Sequence, residues 1–548
     1  MSLDSSLPDS KALLLRLEEL NEIGISLSRQ RNTPRLLEAI LVAAKKITNA
    51  DGGTLYRVDM DEKVARFEIL RTDSLGIAMG GTTGTEVPFY PVRLYDESDE
   101  PNNSMVVAYS VLHDETVNIA DAYEAAGFDF SGTKNFDQKT GYRSQSFLTV
   151  PMKNHENDII GVLQLINAKD RKTGAIVPFS EADQQLAESL ASQAAVALTN
   201  RQLIDQLENL FESFIGLINA AIDDKSPYTG GHCQRVPALT MMLAEAVNEI
   251  RDGPLADFAM TDKDRYELKI AGLLHDCGKV TTPVHVVDKA TKLQTIYDRI
   301  EGVTRRFEIV RRDAEIRMLK AKLAAPENHD GEWEQAEQAY AAFCQEIDAD
   351  LAFLQSANVG SEKMRDEDVA RVHRISQTYR WSNAGKERDF LTEDELKNLT
   401  IRSGTLTDEE RQIINHHIEV TIKMLESLPW PAHLRNVPEY AGGHHERMDG
   451  KGYPRGLTGE QMSVQARVMA IADIFEALTA RDRPYKPGKT LSESLQILAR
   501  FRRNGHIDPD LFDVFVRQKV YAKYAEQFLD PEQIDSVDER VIYALACE

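Results

Sequence analysis

The stretch AGGHHERMDGKGYP, residues 441–454, sets two adjacent histidines, His444 and His445, ahead of a loop built on glycine. Neighbouring imidazoles with Glu446 and Asp449 close behind are metal chemistry by residue type. Gly450, Lys451, Gly452, Tyr453 and Pro454 bring bare backbone, a cation and an aromatic face beside that chemistry, which suits an anionic nucleotide. Upstream, LLHDCGKV places His275 and Asp276 at the end of an apolar helical run, with Lys279 one turn later. A neighbouring His and Asp at the end of a buried helix can both reach one ion, and the second carboxylate oxygen can bridge to another, as a two-metal hydrolase requires.

HDxGK followed by HHExxDGxGYP resembles the HD-GYP family of metal-dependent phosphodiesterases, a branch of the HD superfamily that cleaves cyclic dinucleotides, chiefly cyclic di-GMP. The resemblance implies a metal set carried over motif by motif: His232 in YTGGHCQRV, His275 and Asp276 in HDCGK, His417 in INHHIEV, His444 and His445 in GGHHERMDG, and Asp473 in MAIADIFEAL. Asp473 stands among Met469, Ala470, Ile471, Ala472, Ile474 and Phe475, and a carboxylate buried there needs a partner. On two octahedral ions the imidazoles, Asp473 and a bridging Asp276 leave positions for a bridging hydroxide and for phosphate oxygens or water. Nitrogen and oxygen donors without thiolate suit iron or manganese, and the resemblance favours two divalent iron ions. His416 is out of register with the family where His417 is in register. A glutamate that helps to hold a third ion in part of the family is replaced here by Tyr228, so a dinuclear site is expected.

The implied reaction is attack of the metal-bridging hydroxide on a 3′,5′ phosphodiester bond of cyclic di-GMP, giving pGpG, with GMP from a second cleavage as the alternative end product. Asp276 and Lys279 are the expected catalytic residues, Lys279 as a point charge on a nonbridging phosphate oxygen. Glu446 and Asp449 are expected to orient ligands from behind. Lys451, Gly452, Tyr453 and Pro454 are expected at the substrate, with Tyr453 stacking on a base. Further on, ALTARDRPYKPGKT offers Arg483 and Lys486 for the phosphates; one residue more than the commonest family spacing precedes Arg483, which leaves Arg481 as its substitute. Two other readings compete: a signalling scaffold that binds a cyclic dinucleotide or a partner with little turnover, and a hydrolase of another cyclic dinucleotide. The intact ligand set favours turnover.

At 548 residues the chain is long enough for about three or four domains, of which two are recognisable. It has 42% hydrophobic and 28% charged residues, as a globular protein does, and no apolar run approaches the roughly 20 residues of a membrane span. The start, MSLDSSLPDSK, lacks an apolar signal stretch, so a cytoplasmic protein is expected. Cys233, Cys277, Cys344 and Cys547 show no CxxC spacing, which argues against disulfides and a thiolate zinc site. A net charge of −24 argues against a general binder of nucleic acid or of anionic membrane. Positive charge for an anionic substrate must therefore be concentrated at the motifs.

Residues 11–48 read as helix, with Leu13, Leu17, Leu20 and Ile23, then Leu36, Leu37, Ile40 and Leu41, at helical spacing. GTLYRVDMDEKVARFEIL and SFLTVPMKNHENDIIGVLQLINAKD read as strands around polar turns. A closing helix begins near Ser180, capped by Ser180, Glu181 and Asp183. Helix, antiparallel sheet and helix, with LTVPM and IIGVLQLIN, resemble a GAF domain, a small-molecule sensing fold, over residues 15–200 after a tail of residues 1–14. Asn167, Phe179 and Asp183 match much of the N-K-F-D-E signature of cyclic-nucleotide-binding GAF domains, from which Ala168 and Gln184 depart. Asn135 and Phe136 in NFDQKTGYRS add to the resemblance. These five are the expected contacts of a small ligand; the alternative is a packing and dimerisation module without one.

Leu203, Leu210 and Leu217 recur every seven residues, interleaved with Leu207 and Phe214. Residues 201–221 are therefore expected as a linker helix that pairs with its copy in a homodimer, able to carry a ligand signal by a change of register. The catalytic part is expected over 222–548. It is interrupted at about 287–400 by charged, helix-period sequence read as an inserted helical hairpin. The expected fold is multidomain: an α+β sensor domain with an antiparallel sheet and flanking helices, then an all-α HD-GYP domain carrying the hairpin.

Overall fold

A computed structural model of the chain describes residues 7–30, 32–225, 231–324, 331–360, 363–481 and 488–547. Two compact units divide it, Met1–Phe211 and Glu212–Glu548.

The first unit runs α1 (Leu7–Arg29), α2 (Thr33–Thr48), β1 (Ala50–Asp59), β2 (Val64–Thr72), β3 (Ile77–Gly80), β4 (Val92–Arg93), α3 (Val106–His113), β5 (Val117–Ile119), α4 (Ser131–Thr140), β6 (Phe147–Lys153), β7 (Ile159–Lys169) and β8 (Ile176–Val177), and ends in α5 (Glu181–Lys225). The α2 helix starts where the Asn32 side chain accepts the Arg35 N–H, and it buries Leu36, Ile40, Leu41, Ala44 and Ile47 at the spacing of one helical face. The sheet is antiparallel in the order β3-β2-β1-β7-β6-β5, with β4 on β2 and β8 on β7. Central β1 sets Leu55 opposite Ile69 of β2 and Leu163 of β7. These side chains join those of α2 and α5 in one core, where each fully buried Leu or Ile contributes about 1.5–3 kcal/mol. Tyr56, pointing to the opposite face, packs with Val107, Val111 and Val162 under α3.

The expected closing helix and linker are one continuous helix, α5, so the expected boundary at residue 200 falls within it. Leu203, Leu207, Leu210, Phe214 and Leu217 are all exposed along it, Leu217 by 65%, whereas Ile215 and Ile222 are buried.

The second unit runs α6 (His232–Asn248), α7 (Asp262–Leu274), a 3-10 turn (Cys277–Thr281), α8 (Val284–Val287), α9 (Ile300–Ala324), α10 (Glu332–Asn358), α11 (Asp366–Thr378), β9 (Arg380–Asn383), β10 (Lys386–Asp389), α12 (Glu393–Leu399), α13 (Asp408–Glu426), α14 (Val437–Gly442), α15 (Val464–Thr479), α16 (Leu491–Arg503), α17 (Pro509–Arg517), α18 (Val520–Phe528) and α19 (Glu539–Cys547). Reciprocal capping boxes start α7 (Thr261 with Asp264), α12 (Thr392 with Glu395) and α13 (Thr407 with Glu410), as the Thr-x-x-acid spacing dictates. Helix α6 packs on α7 and α15, and α13 packs on α14 and on the 3-10 turn.

The insert corrects the expectation of a helical hairpin. Helices α9 and α10 form the hairpin, but α11, α12 and the β9–β10 ribbon close a hydrophobic core with them, so the unit is not wholly α. Phe307 sits in that core between Tyr379 and Phe390, at ring-centroid distances of 5.3 and 4.5 Å. A two-helix hairpin would leave Phe307 and Val310 without a second layer to bury against. At its base Lys289 Nζ donates to Asn398 Oδ1 (2.7 Å) and to both oxygens of Glu410 in the capping box of α13 (2.8 and 2.7 Å).

Candidate metal centre

Five helices deliver the expected ligands. His232 opens α6 after Gly231, whose φ of 82° is a left-handed conformation that favours glycine. His275 caps the C-terminus of α7 and Asp276 follows it into the 3-10 turn. His417 lies on the buried face of α13, His444 and His445 follow α14, and Asp473 lies on α15.

Their ligand atoms gather in two groups, His232–His275–Asp276–Asp473 and His417–His444–His445, each with its atoms within 4.8 Å of one another. Asp276 joins the groups. Its Oδ2 is 2.9 Å from His232 Nε2 and 3.1 Å from His275 Nε2, while its Oδ1 is 3.2 Å from His417 Nε2. Asp473 Oδ1 is 3.4 Å from His232 Nε2. Sequence-distant side chains thus converge on a carboxylate with one oxygen turned to each group.

The rings are held from behind. Backbone carbonyls of Gly272, Ile414 and Ala441 accept from Nδ1 of His275, His417 and His444 at 2.7, 2.5 and 2.6 Å. A ring that donates through Nδ1 keeps Nε2 free of a proton, ready to bind a metal. Glu476 holds the His232 ring, with Oε2 2.5 Å from Nδ1, and Arg235 Nε donates to its other oxygen at 2.7 Å.

The donor set fits two divalent ions. Nε2 atoms of His232 and His275 are 3.3 Å apart, and those of His417 and His445 3.2 Å. Two nitrogens about 2.1 Å from one ion, at about 90–110° to each other, stand about 3.0–3.4 Å apart. Asp276 Oδ1 and His444 Nε2 are buried without a hydrogen-bond partner, a cost that a shared cation removes.

The electrostatics mark a site for cations: against burial, the carboxylates of Asp276 and Glu476 raise His232 to about 10, so without a metal it holds an Nε2 proton that an ion would replace. Burial opposes ionisation of Asp276, yet Lys279 and His275 hold its carboxyl well below the usual range. Lys279 Nζ donates to Asp276 Oδ2 at 2.6 Å, and this pairing raises its own pKa against the effect of burial. Burial, and then the neighbouring imidazoles His275 and His444 respectively, push His444 and His445 well below the ordinary histidine value, so both rings are neutral at pH 7. Burial also works against ionised Glu476, but His232 and Arg235 bring it down to about 2.

The GYP loop lies against this cluster. The Tyr453 ring stacks on His445 with centroids 4.8 Å apart and an interplanar angle of 27°. A Cβ on Gly452 would come within 2.5 Å of Arg447 N and Glu446 Cα, so only glycine fits. Buried Glu446 accepts the N–H groups of Arg455 (2.7 Å) and Leu457 (2.9 Å), and Asp449 pairs with Arg447 at 3.0 and 2.8 Å. Both acids therefore hold the loop and touch none of the metal-set histidines. The Lys451 side chain is exposed, 3.7 Å from Asp449. Arg481 Nε donates to Gln533, while Arg483, Lys486 and Tyr228 lie outside the described residues. Sequence reasoning missed Glu476 and Arg235; the signal was a second acid three residues after Asp473 on an apolar helix.

In the first unit a cavity of about 530 Å³ is lined by aromatic rings, among them Tyr56, Phe67, Phe130 and Phe147, with Thr54 and Gln164. Of the five expected ligand contacts only Phe136 lines it. Asn135 is exposed, and Phe179 is in the core with α5. Asn167, in a left-handed conformation, accepts the N–H groups of Gln145 and Ser146 and donates to Arg143 O. Asp183 caps α5 through Ser180 and pairs with Arg16.

Comparison with known proteins matches residues 32–198 to the GAF domain model and residues 229–353 and 393–511 to two HD domain models. The HD matches fall on either side of 354–392, the last residues of α10 and the α11 and β9–β10 part of the insert. A cyclic di-GMP phosphodiesterase of Pseudomonas aeruginosa is 40% identical over 116 residues, 21% of this chain and 27% of the relative. A 3′3′-cGAMP-specific phosphodiesterase of Vibrio cholerae is 48% identical over 81 residues, 15% of this chain and 19% of the relative. The chain thus spans less than a third of the length of either. Among solved structures, the GAF domain of a phosphoenolpyruvate-protein phosphotransferase from Coxiella burnetii aligns at 14% identity over 35% of this chain and 98% of that one, with a TM-score of 0.27. From its matched segments and the motifs that cluster at Asp276, the chain is a GAF domain joined to an HD domain of the HD-GYP type.

Proposed function

We propose that the second unit hydrolyses cyclic di-GMP to pGpG, with the GAF domain as its regulatory input. The observation that carries this reading is Asp276, whose two oxygens face the two ligand groups. Bound there, two divalent ions, iron or manganese by donor type, lower the pKa of a shared water and neutralise phosphoryl charge. The chain's own part is to hold and orient. His232, His275 and Asp473 would hold one ion and His417, His444 and His445 the other, with Asp276 between the two groups. Lys279, the cation nearest Asp276, is placed to take a nonbridging phosphate oxygen. Tyr453, backed by His445, offers a face to a base. The relatives' names support a cyclic dinucleotide as substrate.

The GAF cavity, lined with aromatic rings and a few polar groups, suits a small heteroaromatic ligand. The exposed stripe of α5 supports a homodimer through the linker helix. No helix among the described residues is long and apolar enough to cross a membrane, and we place the reaction in the cytoplasm.

Metal analysis combined with product chromatography on cyclic di-GMP tests the reading. The wild type should bind about two ions and yield pGpG, and Asp276→Ala should lose both metal and turnover. Equal turnover in the two proteins would overturn it. Cyclic di-GMP binding without turnover in the metal-loaded wild type would show a scaffold instead.

A further inference from the structure

A groove of about 670 Å³ opens where Tyr453 and Pro454 face Thr281 and the outer side of α13. Consecutive helical residues point about 100° apart, so His417, turned to the metal cluster, leaves His416 on the groove side. Gln412, His416 and Glu419 stand at positions i, i+4 and i+7 and form one row along the groove. His416 Nδ1 donates to Glu419 Oε2 at 2.9 Å and fixes the carboxylate. At the other end Glu409 is held by Lys397 at 2.6 Å.

The chemistry of this wall is unlike that of a phosphate site. Among the described residues lining it there is no Lys or Arg, and two carboxylates are present. A carboxylate repels phosphate but accepts from two N–H groups side by side. Guanine offers such a pair at N1–H and its 2-amino group. Adenine offers a lone pair at N1, which a carboxylate repels.

Resting on the proposed reaction, we infer that Gln412 and Glu419 read the Watson–Crick edge of the guanine remote from the scissile phosphate, with His416 positioning Glu419 and Tyr453 as the stacking face. This makes the outer row of α13 a specificity determinant, on the same helix that carries a metal ligand on its inner face.

Steady-state kinetics of the metal-loaded full chain on cyclic di-GMP, 3′3′-cGAMP and cyclic di-AMP test the inference, for wild type, Glu419→Gln, Gln412→Ala and His416→Ala. These side chains are exposed, so folding is not at stake. Glu419→Gln should raise KM for cyclic di-GMP about tenfold, the loss of a charge-assisted hydrogen bond, and narrow the preference over cyclic di-AMP by a similar factor at unchanged metal content. Gln412→Ala and His416→Ala should shift KM in the same direction by about threefold. Unchanged KM ratios among the three dinucleotides, with wild type active, would overturn the inference alone. A fall in kcat with metal loss and unchanged ratios would also overturn it, since the row would then merely support His417. If the metal-loaded wild type cleaves none of the three, both the inference and the reaction it rests on fall.

Discussion

Glu476 Oε2 stands 2.5 Å from His232 Nδ1, and this contact ties the first residue of α6 to the helix that carries Asp473. Because Arg235 neutralises the other oxygen, the carboxylate stays ionised although it is 1% exposed. It can therefore accept the Nδ1 hydrogen bond and hold the ring with Nε2 facing Asp276, where a metal would replace the Nε2 proton. Glu476→Gln keeps the volume but weakens this acceptor, so affinity for the ion on the His232 side should fall about 10–100-fold. Metal titration followed by calorimetry reads this directly. An affinity equal to that of wild type would mean that Glu476 does not position His232 for a metal.

A second prediction concerns Gly278. A Cβ there would meet His417 O at 2.0 Å and Thr421 N at 2.7 Å, and both are backbone atoms that no rotamer change can move. Gly278→Ala should push α13 off the 3-10 turn, part His417 from Asp276, and cost about 1–3 kcal/mol of stability. Chemical denaturation together with metal content checks it: a variant of wild-type stability with full metal would refute the close approach.

The clustering of these side chains was legible because each lies in a short motif whose neighbours declare it, such as the adjacent pairs His275–Asp276 and His444–His445. Glu476 was not, because a glutamate on a helix ordinarily faces solvent and only the packing of α6 on α15 shows that this one cannot. The insert was half legible. Helical period gave α9 and α10, but the β9–β10 ribbon meets the core through Trp381, is otherwise exposed, and has no apolar alternation to read. Its one sequence signal is the Ala384–Gly385 turn, where both residues have positive φ, as a tight two-residue hairpin requires. In the GAF domain the signature residues Asn167, Phe179 and Asp183 were found by type, but here they fix a loop, fill a core and cap a helix.

The stripe on α5 yields a third prediction. Leu210 and Leu217 are exposed by 53% and 65% and sit seven residues apart on the same helix face. Replacing both by Glu places like charges against each other in any parallel pairing of two copies. Sedimentation should show wild-type dimer and variant monomer at micromolar concentration, with the far-UV spectrum unchanged. A wild type that sediments as a monomer would leave the stripe to some other partner.

The last prediction is a pH dependence in the insert. Lys292 is 1% exposed; its Nζ donates to Leu399 O at 3.2 Å and lies 3.3 Å from Met364 Sδ. Burial, only partly offset by the charge of Asp368, pulls its ammonium down to about 8. An unfolded lysine titrates near about 10.4. Below about pH 8 both states carry the proton, and the folded state bears the full cost of the buried charge. Between the two values only the unfolded state binds the proton, so stability rises with pH through that window. Lys292→Met fills the same space without the charge and should stabilise the insert by about 2–3 kcal/mol at pH 7. The advantage should shrink to about 1 kcal/mol at pH 9.5. Hydrogen exchange of α9 and α12 amides at the two pH values measures both differences, and a gap that does not change with pH would show that Lys292 keeps an ordinary pKa in the fold.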